Sequence, residues 1–428
     1  MLGIILGLAL LMYLAYRGWS IIWVAPITAG VVAIFGGLEL LPAYTDTYME
    51  GFVNFAKTWF PVFMLGAIFG KLMEETGAAR SVALSITKVI GKERAILGVL
   101  VAAAVLTYGG VSLFVVVFAV YPLAIALFRE ANITRKLIPA TVALGAFTFT
   151  MTALPGTPQI QNLIPMAYYQ TTPTAGAIMG TVAGLFMATA GYLYLRWREK
   201  KLKAAGEFYD EPKGQNIEVI DESKLPNVIL SFLPLITVVT TLNLFDWDII
   251  TALITGIILI MLLNLKMMKK FIGAINGGAS GSVVAIVNTS AAVGFGSVVR
   301  AVPGFEKLTD FVLGIQGSPL ISQAVAINVL AGSTGSASGG MGIALEALGD
   351  RYYEIAMTTG ISPEAFHRVA SIASGGLDSL PHNGAVLTLL AITGLTHKDS
   401  YKDIFVVGCL IPIIGVIVAI IFASMGLI

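Results

Sequence analysis

The segment Ser374-Gly375-Gly376-Leu377-Asp378-Ser379-Leu380-Pro381-His382-Asn383-Gly384 sets a carboxylate, an imidazole, an amide and helix breakers between two apolar helical runs. Such a segment is incompatible with free contact to lipid, where each backbone polar group must be paired inside the protein. It survives at membrane depth only where protein or a water-filled cavity satisfies it, so it marks a site. That the surroundings are lipid follows from composition. Hydrophobic residues make up 57% of the 428-residue chain and charged residues 12%, against about 25% charged in a soluble domain. The expected fold class is an all-α polytopic membrane protein. A formal net charge of +1 leaves no electrostatic footprint for nucleic acid. Cys409 is the sole cysteine, which excludes a disulfide framework and a Cys-based metal site. Met1–Tyr16 lacks a basic start and a small-residue cleavage site, and reads as a retained first span rather than a signal peptide.

Apolar spans are expected near 2–16, 20–42 and 57–74, followed by an amphipathic, charge-bearing stretch from Glu74 to Arg94. Basic clusters at Arg17, in 71–94, at Arg129 with Arg135 and Lys136, in 196–203, and at Lys266 with Lys269 and Lys270 fall on one side. That side is the cytoplasmic face of a plasma membrane if both termini lie outside. Ala95–Leu106 is an apolar helix of 12 residues. It reaches about 18 Å, short of a hydrocarbon core of about 30 Å. Thr107-Tyr108-Gly109-Gly110-Val111-Ser112 and a longer apolar helix to Arg129 follow, so 95–129 reads as a re-entrant hairpin with its tip at 107–112. Segment 136–170 is apolar but broken at Leu154-Pro155-Gly156-Thr157-Pro158-Gln159-Ile160-Gln161-Asn162, where prolines flank a glycine. Span 175–195 returns to the cytoplasm, and 196–225 is a charged linker.

The second half repeats this order. Spans near 227–243 and 246–265 lead to a Gly- and Ser-rich stretch at 271–300 containing Asn288-Thr289-Ser290. Then come a short helix at 318–331, a polar tip at Gly332–Gly340, a return limb at 341–357, a segment 361–395 broken by the 374–384 motif, and a last span at 401–428. A hairpin followed by a broken helix thus occurs twice, entered once from inside and once from outside. The reading is an inverted repeat with two re-entrant hairpins and two discontinuous transmembrane helices. It divides the chain into scaffold helices at 1–94 and 226–316, hairpin-and-broken-helix units at 95–195 and 317–428, and the linker 196–225. Interrupted segments at matching places of inverted repeats point to a secondary-transporter site near the bilayer midplane.

Broken helices present unpaired N–H groups with partial positive charge that hold a carboxylate, while hydroxyls and amides complete the shell. Candidate substrate-binding residues are Thr107, Tyr108, Gly109, Gly110 and Ser112 at the first tip, and Gly156, Thr157, Gln159, Gln161 and Asn162 at the first break. Ser333, Thr334, Gly335, Ser336 and Ser338 at the second tip and Ser379, His382 and Asn383 at the second break complete the set. No Arg or Lys lies within these segments, so anion binding is assigned to backbone dipoles and hydroxyls. Asp378 and His382 are the candidates for proton coupling. Spacing leaves open whether Asp378 carries a proton, ligates Na⁺ or caps a helix.

Gly277–Ser282 reads as close helix packing as readily as a site, and Asn288–Ser290 as interhelical hydrogen bonding as readily as a ligand contact. His367 and His397, beside Arg368 and Lys398 at helix ends, read as interfacial polar residues. An intramembrane enzyme using Asp378 and His382 would need a paired second acid or a Cys nucleophile, and no such partner and no His-Glu-x-x-His spacing is found. No cofactor or metal is expected. A channel fits poorly, because paired broken helices with re-entrant tips build a closed, ligand-filled site rather than an open ring.

On these residues the chain resembles the gluconate permease family, especially its hydroxybutyrate-permease-like members. The resemblance is carried by Ser374–Ala385, by Thr393–Phe405, and by Thr107-Tyr108-Gly109-Gly110 with the Leu154–Asn162 break, and it covers most of the chain. It implies H⁺-coupled uptake of a small organic acid anion and the fold of the broad ion-transporter superfamily. It also implies a homodimer in which the hairpin-bearing domain moves as an elevator against a scaffold. The gluconate-type branch is without the Asp-Ser-Leu-Pro-His run at the second break, which favours a shorter hydroxy acid such as 3-hydroxybutyrate over gluconate. A Na⁺-coupled carboxylate carrier is the alternative within the same architecture.

Overall fold

Apolar segments that must pair their own backbone become helices, and a computed structural model describing residues 1–212, 221–314 and 318–428 contains no strand among those residues. Helices α1 (Leu2–Tyr16) and α2 (Ile21–Gly36) pack side by side and lead into a long helix, α3 (Leu40–Glu75). The expected spans 20–42 and 57–74 are therefore partitioned differently. Polar residues around Thr45–Glu50 stay helical, passing through a π-helical turn at Ala43–Tyr48, and the Thr45 hydroxyl donates back to the Leu41 carbonyl at 3.0 Å. Amphipathic α4 (Ala78–Ile90) precedes the first hairpin, α5 (Ala95–Tyr108) and α6 (Leu113–Glu130). The open ends of that hairpin are joined by Lys92 and Glu130 at 2.7 Å. The first broken segment comprises α7 (Ile138–Ala146), a single turn α8 (Phe149–Thr152), non-helical residues 153–159, and α9 (Ile160–Tyr169). Helix α10 (Ala177–Ala204) takes up the basic run 196–203, so the charged connection starts later than the sequence suggests.

The same succession of elements follows in the second half. It runs α11 (Val228–Asn243), α12 (Ile249–Leu263), the long α13 (Met268–Ala301), amphipathic α14 (Gly304–Leu313), the hairpin α15 (Pro319–Thr334) and α16 (Ala337–Thr359), the broken pair α17 (Pro363–Ser374) and α18 (Gly384–Thr393), and α19 (His397–Ser424). By length and composition, the helices at Leu40–Glu75, Ala177–Ala204, Leu265–Ala301 and His397–Ser424 can each cross a membrane.

The long helices α3 and α13 pack on each other more extensively than any other pair. Their approach depends on missing side chains. A Cβ on Gly278 would fall 2.7 Å from the Ile68 Cα, and one on Gly294 would fall 2.7 Å from the Tyr48 carbonyl oxygen. The Gly-rich stretch of α13 is thus continuous helix at a close-packed contact. Helices α1 and α2, the start of α3 and the second half of α13 share a small apolar cluster of their own, separate from the main core.

At the end of α10, Arg198 pairs bidentately with the buried Asp403 of α19 (2.5 and 3.0 Å), which also accepts from the Tyr194 hydroxyl. The two closing helices are fixed to each other there.

Candidate functional site

The polar tips are tighter than the sequence suggests. In the first hairpin only residues 109–112 leave the helices, and in the second only Gly335 and Ser336. Ser333 and Thr334 end α15 and donate back to the Val329 and Leu330 carbonyls (2.6 and 3.0 Å). Ser336 caps α16 by accepting from the Gly339 amide, and Ser338 faces Thr289 of α13, hydroxyl to hydroxyl at 3.3 Å. Thr289 thus bonds between helices, whereas the neighbouring Ser290 hydroxyl is buried without a partner. Gly340 lets the limbs touch backbone to backbone, since a Cβ there would lie 2.1 Å from the Ala331 nitrogen.

Each tip meets the break that follows it in sequence. At the first, Gln159 donates to the Thr107 carbonyl (2.7 Å), the Tyr108 hydroxyl donates to Pro155 O (3.0 Å), and Gly110, at φ +94°, lies against Pro158. Gly109 lies against Leu235 of α11, and Ser112 against Gly70 of α3. Gly156 adopts φ +78°, which favours glycine, and its carbonyl accepts from Asn243 at the end of α11 (2.8 Å). Asn162 donates to the Thr157 and Pro173 carbonyls, both at 2.9 Å. At the second, Asn383 caps α18 by accepting from the Ala385 and Val386 amides (2.7 and 2.9 Å). Its amide nitrogen donates to Gly335 O (2.9 Å) and to Asp378 Oδ1 (2.8 Å). His382 lies against Gly335 and the backbone of Gly332. One side chain therefore holds the second tip, the second break and the acid together.

The two breaks are joined through α17. Ser371 donates to the Thr152 carbonyl (2.7 Å), and Gly375 lies against the Thr152 side chain. The candidate residues thus form two tip-and-break clusters with a shared helix between them.

His367 and Arg368 correct the sequence reading. Both are fully buried rather than interfacial. His367 bonds through Nε2 to Asn162 (3.2 Å) and through Nδ1 to the Thr171 hydroxyl (2.6 Å). Arg368 donates to the carbonyls of Ala175 (2.9 and 2.6 Å) and Pro173 (3.2 Å). A cation therefore does stand beside the first break. His397 also reaches a site, donating to Pro381 O at 2.9 Å, and the Tyr401 hydroxyl donates to Ser379 O at 3.1 Å. The sequence reading also passed over Asn243, at a helix end, and Asn328, whose side chain lies against Gly376. An amide in an otherwise apolar helix was the available signal.

Buried polar atoms without a protein partner gather around these segments. They include the hydroxyls of Thr107, Thr157 and Ser379, the amide oxygens of Gln161, Asn243 and Asn328, and Arg368 Nη1. Buried polar groups are ordinarily satisfied, and this collection contains donors, in the hydroxyls and Arg368 Nη1, as well as acceptors, in the amide oxygens. Among the described residues no group of His, Cys, Asp or Glu converges as metal ligands would.

A family model described as GntP family permease matches residues 1–245. The chain is 44% identical over 446 aligned residues to the Bacillus subtilis transporter YxjC, described as uncharacterized, with 94% of each chain covered. A transporter of Haemophilus influenzae, also described as uncharacterized, is 25% identical over 326 residues, covering 74% of this chain and 73% of its own. Among solved structures, the Alcanivorax borkumensis YdaH transporter superposes with a TM-score of 0.62 at 14% identity, covering 90% of this chain and 89% of its own. Neisseria gonorrhoeae MtrF, described with a class of antimetabolite efflux pumps, gives 0.53 at 13% identity, covering 90% and 84%. At such identities the structural likeness shows the fold alone.

Proposed function

The chain belongs to the GntP family of permeases, which are transporters and not enzymes, and on that premise we propose that it is an H⁺-coupled symporter of a small organic acid anion, a hydroxy monocarboxylate such as 3-hydroxybutyrate or gluconate. The observation that carries this reading is the gathering of unpartnered buried polar atoms around the first tip and the two breaks. In a protein this apolar, such groups are costly unless a ligand meets them. The half-helix starts at Ile160 and Gly384 add the field of their N-terminal dipoles, the Ala385 and Val386 amides of the second being already taken by the Asn383 side chain. Asp378, held between Asn383 and the Ala337 backbone, is the proton carrier, and His382 of the same break lies against the second tip.

The halves act as inverted repeats with re-entrant hairpins, as their matching order of elements supports. Helices α1–α3 and α11–α13, which pack mainly among themselves, form the scaffold and dimer-bearing part. The hairpins, broken helices and closing helices move against it as an elevator. Ion pairs Arg129–Glu211, Arg135–Asp210 and Lys136–Glu207 gather the first hairpin's base and the linker at one end of the molecule. This agrees with a cytoplasmic basic face and both termini outside a plasma membrane.

Uptake of 3-hydroxybutyrate and of gluconate into proteoliposomes tests the reading. Accumulation driven by an inward pH gradient without Na⁺ is expected. Accumulation that requires a Na⁺ gradient and ignores pH would replace the proton with Na⁺.

A further inference from the structure

We propose that Arg368 is the fixed positive partner of the substrate carboxylate, seated at the first break; this deepens the transport reading above and rests on it. Arg368 is completely buried. Its Nε and Nη2 are taken by the Ala175 and Pro173 carbonyls, yet Nη1, with its pair of N–H donors, has no partner and no exposure. The acid one turn earlier, Glu364, is exposed and accepts instead from the Gly176 amide at 3.0 Å. No salt bridge to Arg368 forms among the described residues. A buried guanidinium without a direct ion pair is a far greater burden than a buried neutral group. Its carbonyl bonds orient it, and Glu364 acts on its charge only from a distance, without an ion pair.

Geometry places that charge at the break. A Cβ on Gly180 would lie 2.6 Å from the Ala153 carbonyl oxygen and 2.8 and 3.0 Å from Arg368 Cδ and Nε, so the guanidinium and the unwound chain share one glycine-lined face of α10. Gly176 gives way in the same manner, 2.6 Å from the Arg368 Cβ. Tyr108 of the first tip is close enough to feel the guanidinium charge. The unpartnered hydroxyls of Thr107 and Thr157 and the amide oxygen of Gln161 belong to the same tip and break, and that of Asn243 comes from α11 packed against it. A carboxylate would take the Nη1 hydrogens and the hydroxyls, and a substrate hydroxyl would donate to an amide oxygen. The chemical class selected is a hydroxy acid, with the acid group at the first break and the proton-carrying Asp378 at the second.

The test uses the full chain, purified and reconstituted, with 3-hydroxybutyrate and its neutral amide, 3-hydroxybutyramide, as probes, read by ligand-induced thermal shift without any gradient. Wild type should bind the acid more tightly than the amide. Arg368→Gln should weaken the acid about tenfold to a hundredfold, the range of a charge-assisted hydrogen bond, and lose the preference for acid over amide. Wild type binding the amide as tightly as the acid overturns the proposal without any variant. A folded Arg368→Gln with wild-type affinity for the acid overturns it too, and equal loss of acid and amide would reduce Arg368 to a structural clamp. Because binding is measured without a gradient, failure of proton coupling leaves the result intact. A wild type that binds no monocarboxylate from acetate to gluconate refutes the transport reading itself.

Discussion

Replacing Asn383 with Ala should separate the second tip from the second break. The side chain makes contacts of two kinds. Its oxygen caps α18 through the Ala385 and Val386 amides, a role worth about 1 kcal/mol. Its nitrogen bonds to Gly335 O and Asp378 Oδ1, and polar bonds between membrane helices average about 0.6 kcal/mol each. Asn383→Ala is therefore expected to lower unfolding free energy by about 2 kcal/mol in all. Asn383→Asp keeps the cap but brings a second carboxylate within hydrogen-bond distance of Asp378, where the Nδ2–Oδ1 separation is now 2.8 Å. Two such groups resist ionising together, so one proton would be retained to higher pH than in wild type. Equilibrium unfolding in mixed micelles, alongside the pH dependence of uptake, reads both effects. An Asn383→Ala protein within about 0.5 kcal/mol of wild type, the usual scatter of inconsequential substitutions, would show that this amide does not hold the site together.

Asp378→Asn should preserve substrate exchange between loaded vesicles yet abolish accumulation driven by a pH gradient, both measured in the same preparation; continued accumulation would remove Asp378 from coupling. Gly340→Ala must push its methyl into the Ala331 backbone, so the hairpin limbs should separate, with about 1–3 kcal/mol of overpacking appearing as a lower melting temperature and lost uptake. Asp403→Asn leaves the partly buried Arg198 without its acid, which should cost about 2 kcal/mol, the range of a charge-assisted hydrogen bond. The melting temperature should fall while KM stays as in wild type.

The sequence revealed the breaks better than the long-range contacts. The second break shows in the sequence because Gly, Asp, Pro and Asn crowd an apolar stretch, and helix α18 indeed starts at Gly384 behind the Asn383 cap. The first shows for the same reason at Pro155 and Pro158. The likeness to the gluconate permease family, read from these segments, agrees with the family match. The tips are overdrawn, because Ser and Thr can donate to the preceding turn and remain helical, as Ser333 and Thr334 do. The start of α3 was hidden by a polar stretch that reads as a loop. His367 and Arg368 were misjudged for a different reason. Their environment is created by residues 171–176, remote in sequence, folding over α17, and local pattern carries no trace of that contact. The one usable hint was the Gly176 and Gly180 spacing, two small residues on one helical face that leave a slot for a large side chain.

The second break is claimed on one flank before any cargo arrives, because Tyr401 and His397 already occupy the carbonyls of Ser379 and Pro381. Whatever docks there finds those carbonyls taken and the Ser379 hydroxyl without a partner. Polar groups fixed in place in this way form a handed set, so the protein should tell mirror-image 3-hydroxy acids apart, accepting one enantiomer and turning the other away.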